Sequence, residues 1–209
     1  MVIKQKRTVY VLKVNCDKEG IKKASQIINQ GGIVIFPTDT VYGIGCDPYN
    51  KESVEKIYEI KSRNISKLVP VLTYSKETAK KIVQFDKITE KIVDKFWPGP
   101  LTVILKLTDE KIKKSLNLKD KIAIRVPDHK CTLGLLKKCN FLVGTSANIS
   151  GSSSYTNPDE CFKNLQGYDI FIDGGTITSK AESTIIEIED EKIRIIREGA
   201  LTKEEILGL

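Results

Sequence analysis

Residues 31–47 read GGIVIFPTDTVYGIGCD, and no other stretch of the chain says as much about its architecture. The apolar, β-branched first half predicts a buried strand that ends at Phe36. Pro37 has no N–H group to donate to a sheet, so regular pairing is expected to stop there. Two threonines then flank an aspartate, and two glycines follow. Ligands bind at the carboxyl ends of strands in open α/β sheets, so we expect residues 37–47 to form a binding loop.

Strand and helix patterns alternate through the rest of the chain. Apolar segments predict strands at Tyr10–Val14, Val69–Thr73, Leu101–Leu107, Ile122–Val126, Phe141–Gly144, Ile170–Ile172, Thr184–Ile188 and Ile193–Ile196. Capping residues and periodicity predict helices after Asp17, Asn50, Ser75 and Asn157, over Ile88–Phe96 and Leu133–Lys138, and from a capping box at Thr202. The pattern indicates an α/β protein in which residues 1–209 form a single domain, a twisted mixed β-sheet with flanking helices.

Composition excludes several classes of protein. No apolar run approaches the ~20 residues of a membrane span, and the N-terminus lacks the apolar core of a secretory signal. The five cysteines are odd in number, none lies in a Cys-x-x-Cys motif, and His129 is the only histidine. A structural zinc site is therefore disfavoured, and we expect a cytoplasmic protein with reduced thiols and no membrane partner.

Lysine greatly outnumbers arginine among the basic residues. The net charge is +7, yet only five of the 34 basic residues are arginine. Most lysines fit solvated helix faces, whereas a guanidinium offers a planar fork for phosphate or carboxylate. Taken alone, Lys61 and Arg63 could simply complement a helix dipole, and Arg125 could be a solvated strand end. The arginines are Arg7, Arg63, Arg125, Arg194 and Arg197.

Familiar nucleotide and hydrolase motifs are absent. The chain has no phosphate-binding P-loop, and Gly43-Ile44-Gly45 does not continue as a dinucleotide fingerprint. Hydrolysis by a Ser–His pair is disfavoured, because the single histidine would have to be the base. Hydroxyls, amides and cations remain at the predicted strand ends. If they converge, they form a large concave basic cavity suited to a triphosphate beside a small zwitterion.

Seven motifs in order resemble the YrdC-like family of L-threonylcarbamoyladenylate synthases, over about residues 20–207. They are Phe36–Gly43, Lys61-x-Arg63, Phe96–Thr102, Ile124–Pro127, Thr145–Gly151, Glu182–Ile185 and Arg197-x-Gly199. The resemblance implies a nucleotidyltransferase that converts L-threonine, bicarbonate or CO2, and ATP into threonylcarbamoyl-AMP and pyrophosphate. That adenylate feeds threonylcarbamoyladenosine (t6A) formation next to the anticodon of tRNAs that read ANN codons. The partners it implies are ATP, L-threonine and bicarbonate, with tRNA or a downstream transferase complex as further possibilities.

The resemblance also assigns roles residue by residue. It implies that L-threonine is bound by Thr38, Thr40, Arg125 and Ser183. It implies that ATP is bound by Lys61, Arg63, Lys67, Ser146, Asn148, Ser154 and Arg197. Lys61, Arg63 and Arg125 would position charge, and no residue would act as a covalent nucleophile.

The chemistry of the reaction agrees with such a site. A carbamate oxygen must attack the α-phosphorus of ATP, so the protein has to bring two anions together and offset their repulsion. Mg²⁺ would arrive on the triphosphate, held by phosphate oxygens and water, and we predict no protein metal ligands.

The chain departs from the family pattern at three positions and in its length. Asn64 and Leu68 stand where the family usually has proline, and Leu72 stands where some members have histidine. Since the chain stops at Leu209, we expect it to be the short form, without the extra C-terminal domain of longer members.

Two other functions compete with the synthase. A basic concave face could bind tRNA or double-stranded RNA without catalysis, although no aromatic stacking platform is evident. The YrdC-like domain of hydrogenase-maturation carbamoyltransferases carries out a related carbamoyl-adenylate reaction. That domain normally occurs with an acylphosphatase-like segment and zinc-binding cysteines, and this sequence has neither.

Overall fold

The computed structural model describes residues 11–65, 67–179 and 181–208. The strands in these ranges are β1 (Leu12–Asn15), β2 (Val34–Pro37), β3 (Tyr42–Gly45), β4 (Val71–Thr73), β5 (Leu101–Lys106), β6 (Lys121–Arg125), β7 (Phe141–Val143), β8 (Thr145–Ser146), β9 (Ile170–Asp173), β10 (Thr184–Glu189) and β11 (Lys192–Arg197). The helices in these ranges are α1 (Lys18–Asn29), α2 (Lys51–Ile60), α3 (Lys76–Ala79), α4 (Lys87–Phe96), α5 (Glu110–Ser115), α6 (Lys130–Cys139), α7 (Pro158–Asn164) and α8 (Lys203–Leu207). Arg7 lies outside the described residues, and so does Tyr10, where the first strand is predicted to begin.

The strands form two mixed sheets. One has the order β1-β9-β2-β3-β8, and the other has the order β11-β10-β5-β6-β4-β7. Each combines both pairing directions, since β2 lies parallel to β9 and antiparallel to β3, while β5 lies parallel to β10 and antiparallel to β6. The predicted mixed α/β architecture is confirmed, and the single predicted sheet is corrected to two. Local patterns identify strands but not their partners, and β1 pairs with a strand more than 150 residues away.

The stretch predicted to be one loop, residues 37–47, contains a strand. β3 pairs with β2 from Val34 opposite Gly45 to Pro37 opposite Tyr42, so the loop itself is only residues 38–41. The glycines that suggested a loop serve close packing. A Cβ atom on Gly43 would lie 2.9 Å from the Phe36 ring, and one on Gly45 would lie 2.0 Å from the Val143 carbonyl oxygen.

Residues 141–146 join the two sheets. β7 belongs to the six-stranded sheet, and β8, one residue later, pairs with β3 of the other sheet. The Val143 amide donates to the Cys46 carbonyl at 2.9 Å, and the Gly144 amide donates to the Pro70 carbonyl at 2.9 Å. A Cβ atom on Gly144 would lie 2.5 Å from two carbon atoms of Leu72, so glycine is needed where the chain crosses.

Most predicted helix starts are confirmed by their caps. The Asp17 carboxylate accepts from the Gly20 amide at 2.8 Å, and the side-chain oxygen of Asn50 accepts from the Ser53 amide at 3.1 Å. Thr202 forms the predicted capping box with Glu205. Helix α5 was not predicted, because its six residues are too few for a clear apolar period; its signal was the cap Asp109.

The buried aliphatic side chains form two clusters. The larger contains Ile33, Ile35, Val71 and Val103, and the smaller packs α1 and α6 against the five-stranded sheet through Ile28 and Leu135, among other residues. Burying one such side chain stabilises the fold by about 1.5–3 kcal/mol. In the described ranges, no helix has both the length and the apolar character needed to cross a bilayer.

Candidate functional site

A cavity of about 450 Å³ is lined by residues of both sheets. Its lining carries five basic side chains and a single acidic one, so its electrostatic character is basic. Ten of the eleven residues predicted for the site line it, namely Thr38, Thr40, Lys61, Arg63, Lys67, Arg125, Ser146, Asn148, Ser183 and Arg197.

Ser154 is the exception among the predicted site residues. It is absent from the described lining of the cavity, and its hydroxyl donates to the carboxylate of Glu182, which does line it. Ser154 therefore reaches the cavity only through that carboxylate.

Arg125 is a cation that the protein holds firmly in the site. It lies at the end of β6 and is only 5% exposed, so it is not the solvated strand end that it could have been. Its guanidinium donates to the Gly99 carbonyl at 2.9 Å, to the Thr40 hydroxyl at 3.1 Å and to the Asp39 carboxylate at 2.6 Å. Burial lowers the pKa of Arg125, and the charge of Asp39 opposes that effect. Because Asp39 lies on the other sheet's loop, this ion pair connects the two sheets.

Loop 38–41 holds its shape through the first threonine. The Thr38 hydroxyl accepts from the amides of Thr40 and Val41, at 3.1 and 3.2 Å, and donates to the Val41 carbonyl at 2.7 Å. Backbone amides in a tight loop often lack a backbone carbonyl as partner, and a nearby threonine hydroxyl can accept their hydrogen bonds instead. Thr38 thus places Thr40 beside Arg125.

Lys61, just after α2, is 1% exposed. Its ammonium donates to the carbonyl of Ser146, to the carbonyl of Asn148 at 2.8 Å and to the side-chain oxygen of Asn148 at 3.2 Å. Burial, together with the charge of Arg63, lowers the pKa of Lys61 to about 8. The lysine therefore connects the end of α2 to β8 and to Asn148 just after it, and it directs its protons at oxygen atoms of the protein.

Arg63 and Lys67 lie in the more open part of the site. Arg63 is half-buried and donates to the Leu68 carbonyl at 2.9 Å, while Lys67 is exposed. Both belong to the segment where Asn64 and Leu68 depart from the family pattern. These two cations are thus carried by a loop, unlike Arg125, which a strand carries.

The third group of site residues lies where β10 begins and β11 ends. Arg197 forms an ion pair with Glu182 and donates to the Ser183 carbonyl at 2.7 Å. The Ser183 hydroxyl lies 3.0 Å from the hydroxyl of Thr102 on β5. Burial acts to raise the pKa of Glu182, but the hydrogen bond from Ser154 and the charge of Arg197 bring it below its usual value.

Four residues of this arrangement were missed as site residues. Thr102, Ser150 and Glu182 line the cavity, and Asp39 pairs with Arg125. Two of them keep a buried oxygen without a hydrogen-bond partner in the described structure, namely Asp39 Oδ2 and Ser150 Oγ. All four lie within the seven motifs, so their place in those motifs could have identified them as site residues. Their residue types and spacing alone could not.

Comparison with protein families identifies one match. The family model named Sua5/YciO/YrdC, described as telomere recombination, matches residues 26–199.

Comparison with individual proteins adds relatives and a structure. A Methanocaldococcus jannaschii protein named as a putative threonylcarbamoyl-AMP synthase is 38% identical over 200 residues, which cover 92% of each chain. The threonylcarbamoyl-AMP synthase of Bacillus subtilis is 32% identical over 196 residues, covering 89% of this chain and 55% of that one. The crystal structure of P. abyssi Sua5 complexed with L-threonine superposes with a TM-score of 0.86 at 29% identity, covering 95% of this chain and 60% of that one.

Proposed function

Because the chain belongs to the Sua5/YciO/YrdC family, we propose that it is a threonylcarbamoyl-AMP synthase. It would convert L-threonine, bicarbonate and ATP into threonylcarbamoyl-AMP and pyrophosphate. The observation that carries the proposal is the meeting of Thr40, Arg125 and Ser183 with Lys61, Arg63 and Arg197 in one basic cavity. The names of the relatives support the enzyme rather than a non-catalytic RNA-binding module.

The threonine would bind beside Arg125. Its carboxylate suits a buried guanidinium, and the hydroxyls of Thr40 and Ser183 offer hydrogen bonds to its polar atoms. Thr38 would contribute by holding Thr40 in place. The likeness to a Sua5 structure that contains L-threonine supports this assignment.

The triphosphate would occupy the part of the cavity that carries most of the cations. We assign to it Lys61, Arg63, Lys67, Ser146, Asn148 and Arg197, with Ser154 acting through Glu182. Lys61 would contribute its positive charge and the placement of Asn148, since its own hydrogen bonds go to protein oxygens. Each charge-assisted hydrogen bond to phosphate contributes about 1.5–3 kcal/mol before ordering costs are subtracted.

The reaction itself needs no protein nucleophile. The threonine amine and bicarbonate give a carbamate and water; a carbamate oxygen then bonds to the α-phosphorus, and the bond to the departing pyrophosphate breaks. Cations along the cavity would offset the repulsion between carbamate and triphosphate and the charge that develops on pyrophosphate. We propose that Mg²⁺ enters with ATP; Glu182 is the one carboxylate in the described lining, and both its oxygens already accept hydrogen bonds.

The product would be consumed by a transferase that passes the threonylcarbamoyl group to tRNA. We also propose that the enzyme works in the cytoplasm, because all five cysteines are free thiols.

The test is release of pyrophosphate by the purified protein. We expect release only when L-threonine, bicarbonate and ATP are all present, with threonylcarbamoyl-AMP identified by mass spectrometry. Release without threonine, or no release under any condition, would contradict the proposal. Filter binding of tRNA at rising salt, with and without ATP, tests the RNA-binding alternative, which requires tight binding independent of ATP.

A further inference from the structure

Glu182 is the only acidic side chain in the described lining of a cavity that otherwise carries five cations. The hydrogen bond from Ser154 and the charge of Arg197 keep its pKa low, so it is ionised at neutral pH. A carboxylate in this position repels a triphosphate, and the repulsion is strong where solvent is partly excluded. We therefore expect Glu182 to contribute to ATP binding in another way that outweighs this repulsion.

The contacts of Glu182 reach two segments that are far apart in the chain. One carboxylate oxygen accepts from the Ser154 hydroxyl, and the other accepts from the Arg197 guanidinium. The guanidinium is also held at the Ser183 carbonyl, at 2.7 Å. The side chain of Arg197 is 42% exposed and, without these anchors, would sample many rotamers.

We infer that Glu182 is a positioning residue for the nucleotide, which fixes the Arg197 guanidinium and the segment carrying Ser154 before ATP binds. This inference rests on the proposed function. Positioning lowers the entropy that ATP binding must remove, and this gain outweighs the repulsion of one carboxylate. At the threonine end of the cavity, Arg125 and Thr40 are held by contacts that do not include Glu182. Ser183 contacts Arg197, but its hydroxyl also lies 3.0 Å from the hydroxyl of Thr102.

Glu182→Gln separates the two effects because they have opposite signs. If Glu182 only adds negative charge, removing that charge tightens ATP binding. If it positions Arg197, the same change weakens ATP binding, and we expect the Kd and the KM for ATP to rise about tenfold. The KM for L-threonine should stay within about threefold of wild type.

Glu187→Gln is the matched control. Glu187 lies on β10, the strand that begins two residues after Glu182, and it pairs with Arg194 of β11 and with Lys121. It is absent from the described lining of the cavity. The Glu187→Gln variant also loses a Glu–Arg ion pair. It therefore reproduces the loss of stability expected from breaking such a pair, but it leaves Arg197 in place. We expect its Kd for ATP to equal that of wild type.

The experiment measures ATP binding by calorimetry, KM for both substrates by pyrophosphate release, and thermal unfolding, for wild type and both variants. A Glu182→Gln variant that binds ATP as tightly as wild type, or more tightly, overturns the inference. Should that variant not fold, Glu182→Asp replaces it: it keeps the charge but is one methylene too short to reach both partners, and an unchanged Kd there also overturns the inference. If wild type itself neither binds ATP nor releases pyrophosphate, it is the proposed function that fails.

Discussion

Arg125 and Arg63 line the same cavity, but the protein holds them in different ways. Arg125 lies on a strand, is almost fully buried, and donates to a carbonyl, a hydroxyl and a carboxylate. Arg63 lies in a loop, is half-buried, and donates to a carbonyl of that same loop. The difference indicates that the end proposed for threonine is built in advance. At the end proposed for ATP, Lys61 and Arg197 are also held, but the loop that carries Arg63 and Lys67 retains freedom to adjust to its ligand.

The largest effect is expected from Arg125→Ala. We expect threonine-dependent pyrophosphate release to fall below detection. Because the change removes the counter-charge of the largely buried Asp39 carboxylate, which keeps only the Asp128 amide as a donor, the free energy of unfolding should also fall by about 3 kcal/mol. Denaturant titration and the pyrophosphate assay measure the two effects separately.

A double variant separates folding from chemistry at that site. Arg125→Met with Asp39→Asn removes both charges together, and we expect it to recover much of the lost stability but none of the activity. Wild-type turnover in either variant would remove the proposed role of Arg125.

Lys61→Met should have the next largest effect. It deletes a buried ammonium that donates to three oxygens of Ser146 and Asn148. The Asn148 backbone carbonyl loses its donor, whereas the Ser146 carbonyl keeps the Asn148 amide and the Asn148 side-chain oxygen keeps the Ser146 hydroxyl. We expect the Kd for ATP to rise about 100-fold, with a smaller change for L-threonine. Calorimetry with each ligand measures this, and equal losses for both ligands would mean that Lys61 supports the whole cavity rather than its nucleotide end.

The protonation of Lys61 gives ATP binding a pH dependence. With a pKa of about 8, Lys61 carries its charge below pH 8 and loses it as the pH rises. ATP affinity should therefore be highest below pH 8 and fall about tenfold between pH 7 and pH 9, as the charged fraction falls. In Lys61→Arg the cation does not titrate in this range, so any residual affinity should be flat with pH; a parallel decline would assign the effect to another group.

Arg63→Ala tests the open end of the site. Because Arg63 is half-buried and the carbonyls of Lys67 and Leu68 that its side chain contacts belong to its own loop, the free energy of unfolding should change by less than about 0.5 kcal/mol. The Kd for ATP should rise about tenfold, since one charge-assisted contact is lost. A large fall in the free energy of unfolding with an unchanged Kd for ATP would mean that Arg63 stabilises the fold and does not bind ATP, contrary to the contrast drawn with Arg125.

Ser154→Ala should have the smallest effect. The hydroxyl is absent from the described lining and acts through Glu182, which also keeps its partner Arg197. We expect the KM for ATP to rise by only about two- to threefold in steady-state kinetics. An effect as large as that of Arg63→Ala would indicate direct contact with the nucleotide.

The sequence predicted which residues line one cavity better than it predicted the sheets around them. The motifs of the family resemblance named ten residues that share the cavity, and the roles of those residues stay predictions. Strand partners were not predictable, since β9 pairs with β1 and β2 through contacts that local periodicity does not encode. Asp39 and Glu182 were missed for a related reason: a carboxylate that supports an arginine is identified only when the two are seen together.

The crossing at Gly144 limits how this chain can change in length. Side chains alternate between the two faces of a strand, and Ser146 pairs with Gly43 in a fixed register. An inserted or deleted residue between Val143 and Thr145 would turn Ser146 to the opposite face and bring a different residue to Lys61. Exposed turns elsewhere can accommodate insertions, but this single residue between two sheets sets the spacing on which the cavity depends.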